Sequence, residues 1–271
     1  MPIALGLAVG LSPLPAVETV PDKTVVLTFD DSVKSHRTFV GPFIKEFGFG
    51  ATFFITQAWM NDPENFMSWE DVAELYQMGF EIGNHTWTHG GLNKPEADLA
   101  LPEELSKVEE QLARVGVPQP ISFAWPGNAF GPEARAILKK KCYQFARRGM
   151  QPELPYGQIR LGPLYDPAKY DPLLIPTSGD AYPQWILDHF KKVVDRAKGG
   201  EIVVLQFHGV PDIVHPWVDT SPERFREYMG YLKDNGFHVI ALRDVGKYID
   251  PEREVADSTV TARYPQEKGA N

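Results

Sequence analysis

Short apolar runs rich in β-branched and aromatic residues alternate with longer segments of helical periodicity, and this alternation limits the fold more than any other feature of the chain. Lys23 to Phe29, Gly50 to Thr56, Phe80 to Gly83, Ile121 to Ala124, Glu201 to Phe207 and Phe237 to Leu242 read as strands. Between them, Ser68-Trp69-Glu70-Asp71 has the form of a capping box and opens a helix that stops before Gly79. Leu101, Leu105, Val108, Leu112 and Val115 share one helical face, closed by Gly116. Gly131-Pro132-Glu133 starts a helix running toward Tyr143. Pro183 to Lys198 and Ser221 to Asn235 give two more, the last with Pro at its first position. Strands alternating with helices call for a mostly parallel sheet covered by helices. At 271 residues the chain suits one large α/β domain, and a β/α barrel is the expected form. Met150 to Ala181 is rich in Pro, Gly and Tyr and lacks periodicity, so loops over one face are expected there.

Three divisions are expected: a leader over residues 1–22, the folded domain over 23–250 and a polar tail over 251–271. Ile3 to Leu14 is apolar and small, but no Lys or Arg precedes Lys23, so an export-signal remnant, a simple leader and an added strand all fit. No run approaches the ~20 apolar residues of a membrane span. Secreted, periplasmic and cytoplasmic locations stay open, as does the oligomeric state. The net charge of −9 opposes nucleic-acid binding, which needs clustered Lys and Arg. The single cysteine, Cys142, forbids an intrachain disulfide.

Three motifs carry chemistry. Thr28-Phe29-Asp30-Asp31 sets two carboxylates at a strand end, where α/β barrels keep their reactive groups, although Asp also suits turns and caps. His85-Thr86-Trp87-Thr88-His89 follows another strand, and histidines at i and i+4 share one face of a helical turn and can chelate one ion. His208 ends the apolar run Val203 to Phe207, either as a hydrogen-bonded rim residue or as a proton donor, since free imidazole titrates near about 6.5. Together, Asp31, His85 and His89 would hold Zn2+, or Co2+ or a similar divalent ion, with a coordination position left open. Asp30 would take a proton from an attacking water, and His208 would protonate the leaving group.

In this order and on these strands, TFDD, HTWTH and LQFH resemble the polysaccharide deacetylase family with the NodB homology domain, carbohydrate esterase family 4. The resemblance spans roughly Lys23 to Asp250. It implies a distorted (β/α) barrel of about seven parallel strands and an enzyme removing acetyl groups, N-acetyl before O-acetyl, from a carbohydrate. By motif it makes Asp30 the base, Asp31, His85 and His89 the metal ligands, His208 the acid and Leu205 the lining for the acetyl methyl. Phe123-Ala124-Trp125-Pro126-Gly127 resembles the Phe-Ala-Tyr-Pro segment of poly-N-acetylglucosamine deacetylases, with the Gly127 N–H positioned for the oxyanion. Ala124 stands where the family often has an Arg that pairs with the base, and Arg160 is a candidate replacement. Asp180, Asp166 and Trp185 are candidates to orient the acid and shape the groove. Trp125 and Trp217 suit sugar stacking or packing, Trp87 suits packing beneath the metal loop, and His215 is not expected to ligate. An acetyl-xylan-type esterase, an amidase of another substrate, and a binding barrel without turnover are the competing readings.

Overall fold

The computed structural model describes residues 17–250 apart from residue 93. Its sheet follows the expected runs: β1 (Thr24–Phe29), β2 (Thr52–Ile55), β3 (Glu81–Asn84), β4 (Ser122–Ala124), β7 (Val203–Phe207) and β8 (His238–Ile240). Two further strands, β5 (Phe145–Arg147) and β6 (Gly179–Asp180), are too short to show periodicity in the sequence. The order is β5-β4-β3-β2-β1-β7-β6, and every pairing of named strands is parallel. β8 pairs with the first half of β1, while β2 pairs with the second half. The N–H of Gly50 donates to the Val239 carbonyl at 3.0 Å, so β8 is wedged between β1 and the entry to β2.

The sheet curls until its ends meet. The extended segment leading into β6 bonds β5 on one side, with the Arg148 N–H donating to the Ile175 carbonyl at 2.8 Å and the Ile175 N–H to the Ala146 carbonyl at 2.9 Å. On its other side Gly179 and Asp180 pair with Leu205 and Gln206 of β7. The expected parallel barrel is therefore found, joined along a short seam where Arg147 stands opposite Ile175.

Strand alternation divides the core. Val25, Leu27, Phe29, Leu205 and Phe207 face one way and pack under α1 (Gly41–Glu46), α2 (Trp69–Gln77), α5 (Leu187–Val194) and α6 (Pro222–Asp234). Val26, Phe54, Ala124, Val204 and Ile240 form a second cluster on the opposite face. A third lies under α3 (Pro95–Arg114) and α4 (Pro132–Lys140). The Ser68 cap is present, its hydroxyl accepting from the Asp71 N–H at 3.2 Å. A π-helical turn, His36–Val40, precedes α1; neither was legible as a periodic segment. The proposed leader up to residue 16 and the proposed tail, 251–271, lie outside the described residues. Glu18, the second described residue, donates its N–H to the Lys247 carbonyl at 2.9 Å. Among the described residues no helix is long and apolar enough to cross a membrane.

Candidate active site

β1 delivers the two carboxylates. The Asp30 N–H extends the ladder to the Phe207 carbonyl at 3.0 Å, and the chain then reverses through positive φ at Asp31 (74°) and Ser32 (57°). Such conformations cost of order 1–3 kcal/mol each and persist only where neighbours enforce them. Here the Ser32 hydroxyl does so, donating to the Thr56 carbonyl and accepting from the Thr56 N–H, both at 2.9 Å. The reversal points Asp30 and Asp31 in different directions from one strand end.

β3 delivers the histidines, though not on a helix as their spacing suggests. His85 to His89 is an irregular bend with positive φ at Thr86 (65°) and His89 (58°). The Asn84 carboxamide oxygen accepts from the Thr86 N–H at 2.9 Å and fixes the start of that bend. The result still brings both rings to Asp31: His85 Nε2 and His89 Nε2 each lie 3.4 Å from Asp31 Oδ1. Trp87 packs on Trp69, ring centroids 6.3 Å apart.

These three residues fit a divalent ion. Tetrahedral Zn2+ with bonds of about 2.0–2.2 Å separates its ligand atoms by about 3.3 Å. Asp31 Oδ1 is buried and has no hydrogen-bond partner among the described residues, which is costly unless something else satisfies it. The His85 Nδ1–H donates to the Ala124 carbonyl at 2.8 Å, which leaves the Nε2 lone pair for the cluster. Burial pushes the Asp31 carboxyl up, but the neighbouring His85, His208 and His89 rings hold it well below the usual carboxylate range. Burial, reinforced by His85, lowers His89 to about 4. Both are thus kept in their metal-binding protonation states at neutral pH.

Asp30 faces a different partner. Arg147, fully buried at the end of β5, donates from Nη2 to Oδ1 at 2.6 Å and to Oδ2 at 2.5 Å. Gln206 Nε2 adds a bond to Oδ2 at 3.2 Å. Arg147 thus supplies the cation that Ala124 cannot. Arg160 does not: it is exposed in the 150–178 loop region. His208 is buried at the end of β7, with Nε2 3.8 Å from Asp31 Oδ2 and its carbonyl bonded by His36 Nε2 at 3.0 Å. Asp180 of β6 is buried and interacts electrostatically with His208 and Arg147, and its Oδ1 has no hydrogen-bond partner among the described residues. Of the three candidates for orienting the acid, only Asp180 stands at the site. Asp166 pairs with Lys169, and Trp185 is buried against Phe190 and Tyr228.

Asp30, Asp31, His85, His89, Gln206 and His208 open on one cleft of about 290 Å3. Gly127, with φ 57°, and Asn128 form one wall. Trp125 lines it too, but it is 1% exposed and its indole N–H is bonded to the Leu173 carbonyl at 3.1 Å, so it serves as packing rather than as a stacking surface. Trp217 is 59% exposed at the mouth. Leu205 is a correction: it lies on the helix-covered face, and the cleft receives Gln206 and His208 instead. With a period of two, only residues an even number of positions before His208 can share its face. Sequence reasoning also missed Trp59, Asn128, Gln151 and Tyr156, which reach the cleft from loops without periodic signal.

A parallel α/β barrel with an Asp-His-His donor cluster at the carboxyl ends of its strands, beside an Asp–Arg pair and a histidine, defines the class to which this chain conforms. Residues 17–146 match the family model described as Polysaccharide deacetylase, and over that segment the chain is similar to the polysaccharide deacetylase family. The match includes Asp30, Asp31, His85 and His89 and stops before Arg147 and His208. The poly-beta-1,6-N-acetyl-D-glucosamine N-deacetylase of Escherichia coli (strain K12) is 31% identical over 98 residues, 30% of this chain and only 15% of that protein. A family 4 acetyl xylan esterase from Clostridium thermocellum has a similar fold, with a TM-score of 0.54 at 18% identity over 82% of this chain and 90% of that one. So does a CE4 family pseudoenzyme from Bacillus anthracis, with 0.53 at 18% identity over 86% and 69%.

Proposed function

We propose that this protein is a metal-dependent deacetylase that removes N-acetyl groups from a carbohydrate. The observation that carries the reading is the convergence, in one cleft, of three donor atoms spaced for a divalent ion with a fixed carboxylate and a buried imidazole. Asp31, His85 and His89 hold the ion. When bound, such an ion polarises an acetyl carbonyl and makes a nearby water acidic enough to attack at neutral pH.

The chain's own residues do the rest. Asp30 takes the proton of the attacking water, and the Arg147 guanidinium fixes the carboxylate's orientation for that transfer. The Gly127 N–H faces the developing oxyanion. His208 protonates the departing nitrogen, without which an amine is a poor leaving group. Buried Asp180 lies near enough for its charge to act on that ring. The Escherichia coli relative, named for N-deacetylation of a glucosamine polymer, supports the N-acetyl preference over the O-acetyl chemistry of the xylan esterase. Arg147 also removes the main ground for a barrel without turnover, because the base has its cation after all.

The test is acetate release from N-acetylglucosamine oligomers, peptidoglycan, acetylated xylan and small acetyl esters, with chelator and then with restored Zn2+ or Co2+. Chelator-sensitive release from an N-acetyl sugar is expected. Release from esters alone would replace the reading with O-deacetylation, and no release from any of them would remove it.

A further inference from the structure

β7 carries a polar side chain in an otherwise apolar run, and the deacetylation steps leave it unused. The strand reads Val-Val-Leu-Gln-Phe, and Gln206 is 3% exposed. A buried carboxamide is costly unless it is bonded, and an aliphatic side chain would fill the same place without that cost. Gln206 is bonded at both ends. Its Nε2 donates to Asp30 Oδ2 at 3.2 Å, and its Oε1 accepts from the Thr177 hydroxyl at 3.3 Å. The orientation is forced, because an ionised carboxylate only accepts and must face the NH2 group. Thr177 is buried between the Ile175 bridge and β6, and the same hydroxyl donates to the Arg148 carbonyl at 2.8 Å. One residue earlier in the chain, Arg147 returns to Asp30. Asp30, Gln206, Thr177 and the Arg147–Arg148 backbone thus form a closed circuit of hydrogen bonds that crosses the seam from β7 to β5.

Arg147 reaches both Asp30 oxygens from one nitrogen, Nη2. A grip through one nitrogen resists displacement better than rotation, unlike a two-nitrogen fork. Gln206 adds a donor from a different strand, on one oxygen only. We infer that Gln206 and Thr177 are positioning residues that complete the hold on Asp30 and leave its Oδ1 as the oxygen that takes the proton from water. Oδ2 accepts from two nitrogens and Oδ1 from one, so the less occupied lone pairs are on Oδ1. Thr177 acts at one remove. Its hydroxyl holds the carboxamide oxygen and so keeps the NH2 group on Asp30. A misplacement of about 1 Å in a reacting group can cost about 100-fold in rate, so a bond this far from the substrate still bears on turnover.

This inference rests on the deacetylase reading for its consequence, and its test has one arm that needs no activity. In protein labelled with 15N-glutamine and loaded with Zn2+, the side-chain amide signal lost in Gln206→Met belongs to Gln206. That signal should exchange slowly with solvent in the unsubstituted protein and in Thr177→Ser, and fast in Thr177→Val. In the second arm, Gln206→Met and Thr177→Val should each lower kcat for acetate release by about ten-fold, with KM and metal content unchanged. The double variant should be no slower than Gln206→Met alone, because both cut one circuit. Thr177→Ser should restore the rate. Thr177→Val has almost the volume of the native residue and carries the kinetic arm alone if Gln206→Met does not fold. An amide signal indifferent to Thr177→Val, an unchanged kcat, or losses that multiply in the double variant would overturn the circuit. Acetate release by the unsubstituted protein decides the deacetylase reading separately. Amide protection that needs Thr177, without release from any substrate, would leave the circuit standing and remove its role in deacetylation.

Discussion

Arg147 and Asp30 are charges taken out of water, tolerable only because they face each other. Breaking such a pair by deleting one partner strands the other charge and costs about 3–5 kcal/mol. Arg147→Met should therefore lose about that much in urea unfolding and nearly all turnover. Asp30→Asn should keep its metal by elemental analysis while kcat falls by about 100- to 10,000-fold, the usual contribution of a positioned base. An unchanged kcat would remove Asp30 from that role. His85→Ala should lose stoichiometric metal, and full occupancy would overturn the ligand assignment. The residues that were legible in the sequence, Asp30, Asp31, His85, His89 and His208, announce themselves by chemical type at the ends of long apolar runs. Arg147 does not, because Phe-Ala-Arg is three residues of strand after a helix and an arginine there looks like surface. His215 was legible as a residue but not as a neighbour, since only the fold brings Trp59 to it.

At the scale of the element, β7 shows how a correct strand can be read in the wrong register. Val203 to Phe207 is apolar on both faces because helices cover one side and the barrel the other, so hydrophobicity alone does not say which residues face the cleft. Only counting back from His208 by twos selects Gln206. Leu205→Ala should accordingly behave as a core truncation, losing about 2–5 kcal/mol of stability with kcat/KM for acetylated substrate little changed in the folded fraction. A selective loss of activity at normal stability would return Leu205 to the cleft. The long strands and capped helices were legible because each spans several periods. β5, β6 and the π-helical turn were not, since they are held by tertiary pairing rather than by any pattern of their own.

On the scale of the whole molecule, acid should loosen the barrel at His36. This ring is buried between Phe29 and Phe53, and burial lowers its pKa to about 4. A histidine whose folded pKa is depressed contributes stability that is complete above the unfolded value near about 6.5 and is lost as pH falls toward the folded value. Urea unfolding should show a loss on the order of 3 kcal/mol between those limits, reduced in His36→Gln. A flat profile would show that His36 is protonated in the folded state. Heat should act elsewhere. The barrel closes along a short seam, and a residue on that seam is Arg147, the same one that aims Asp30. Narrow, locally bonded segments open at lower free energy than the whole fold. Clasp and chemistry therefore share a residue: on warming, turnover should fade reversibly while circular dichroism still records an intact barrel, and return on cooling.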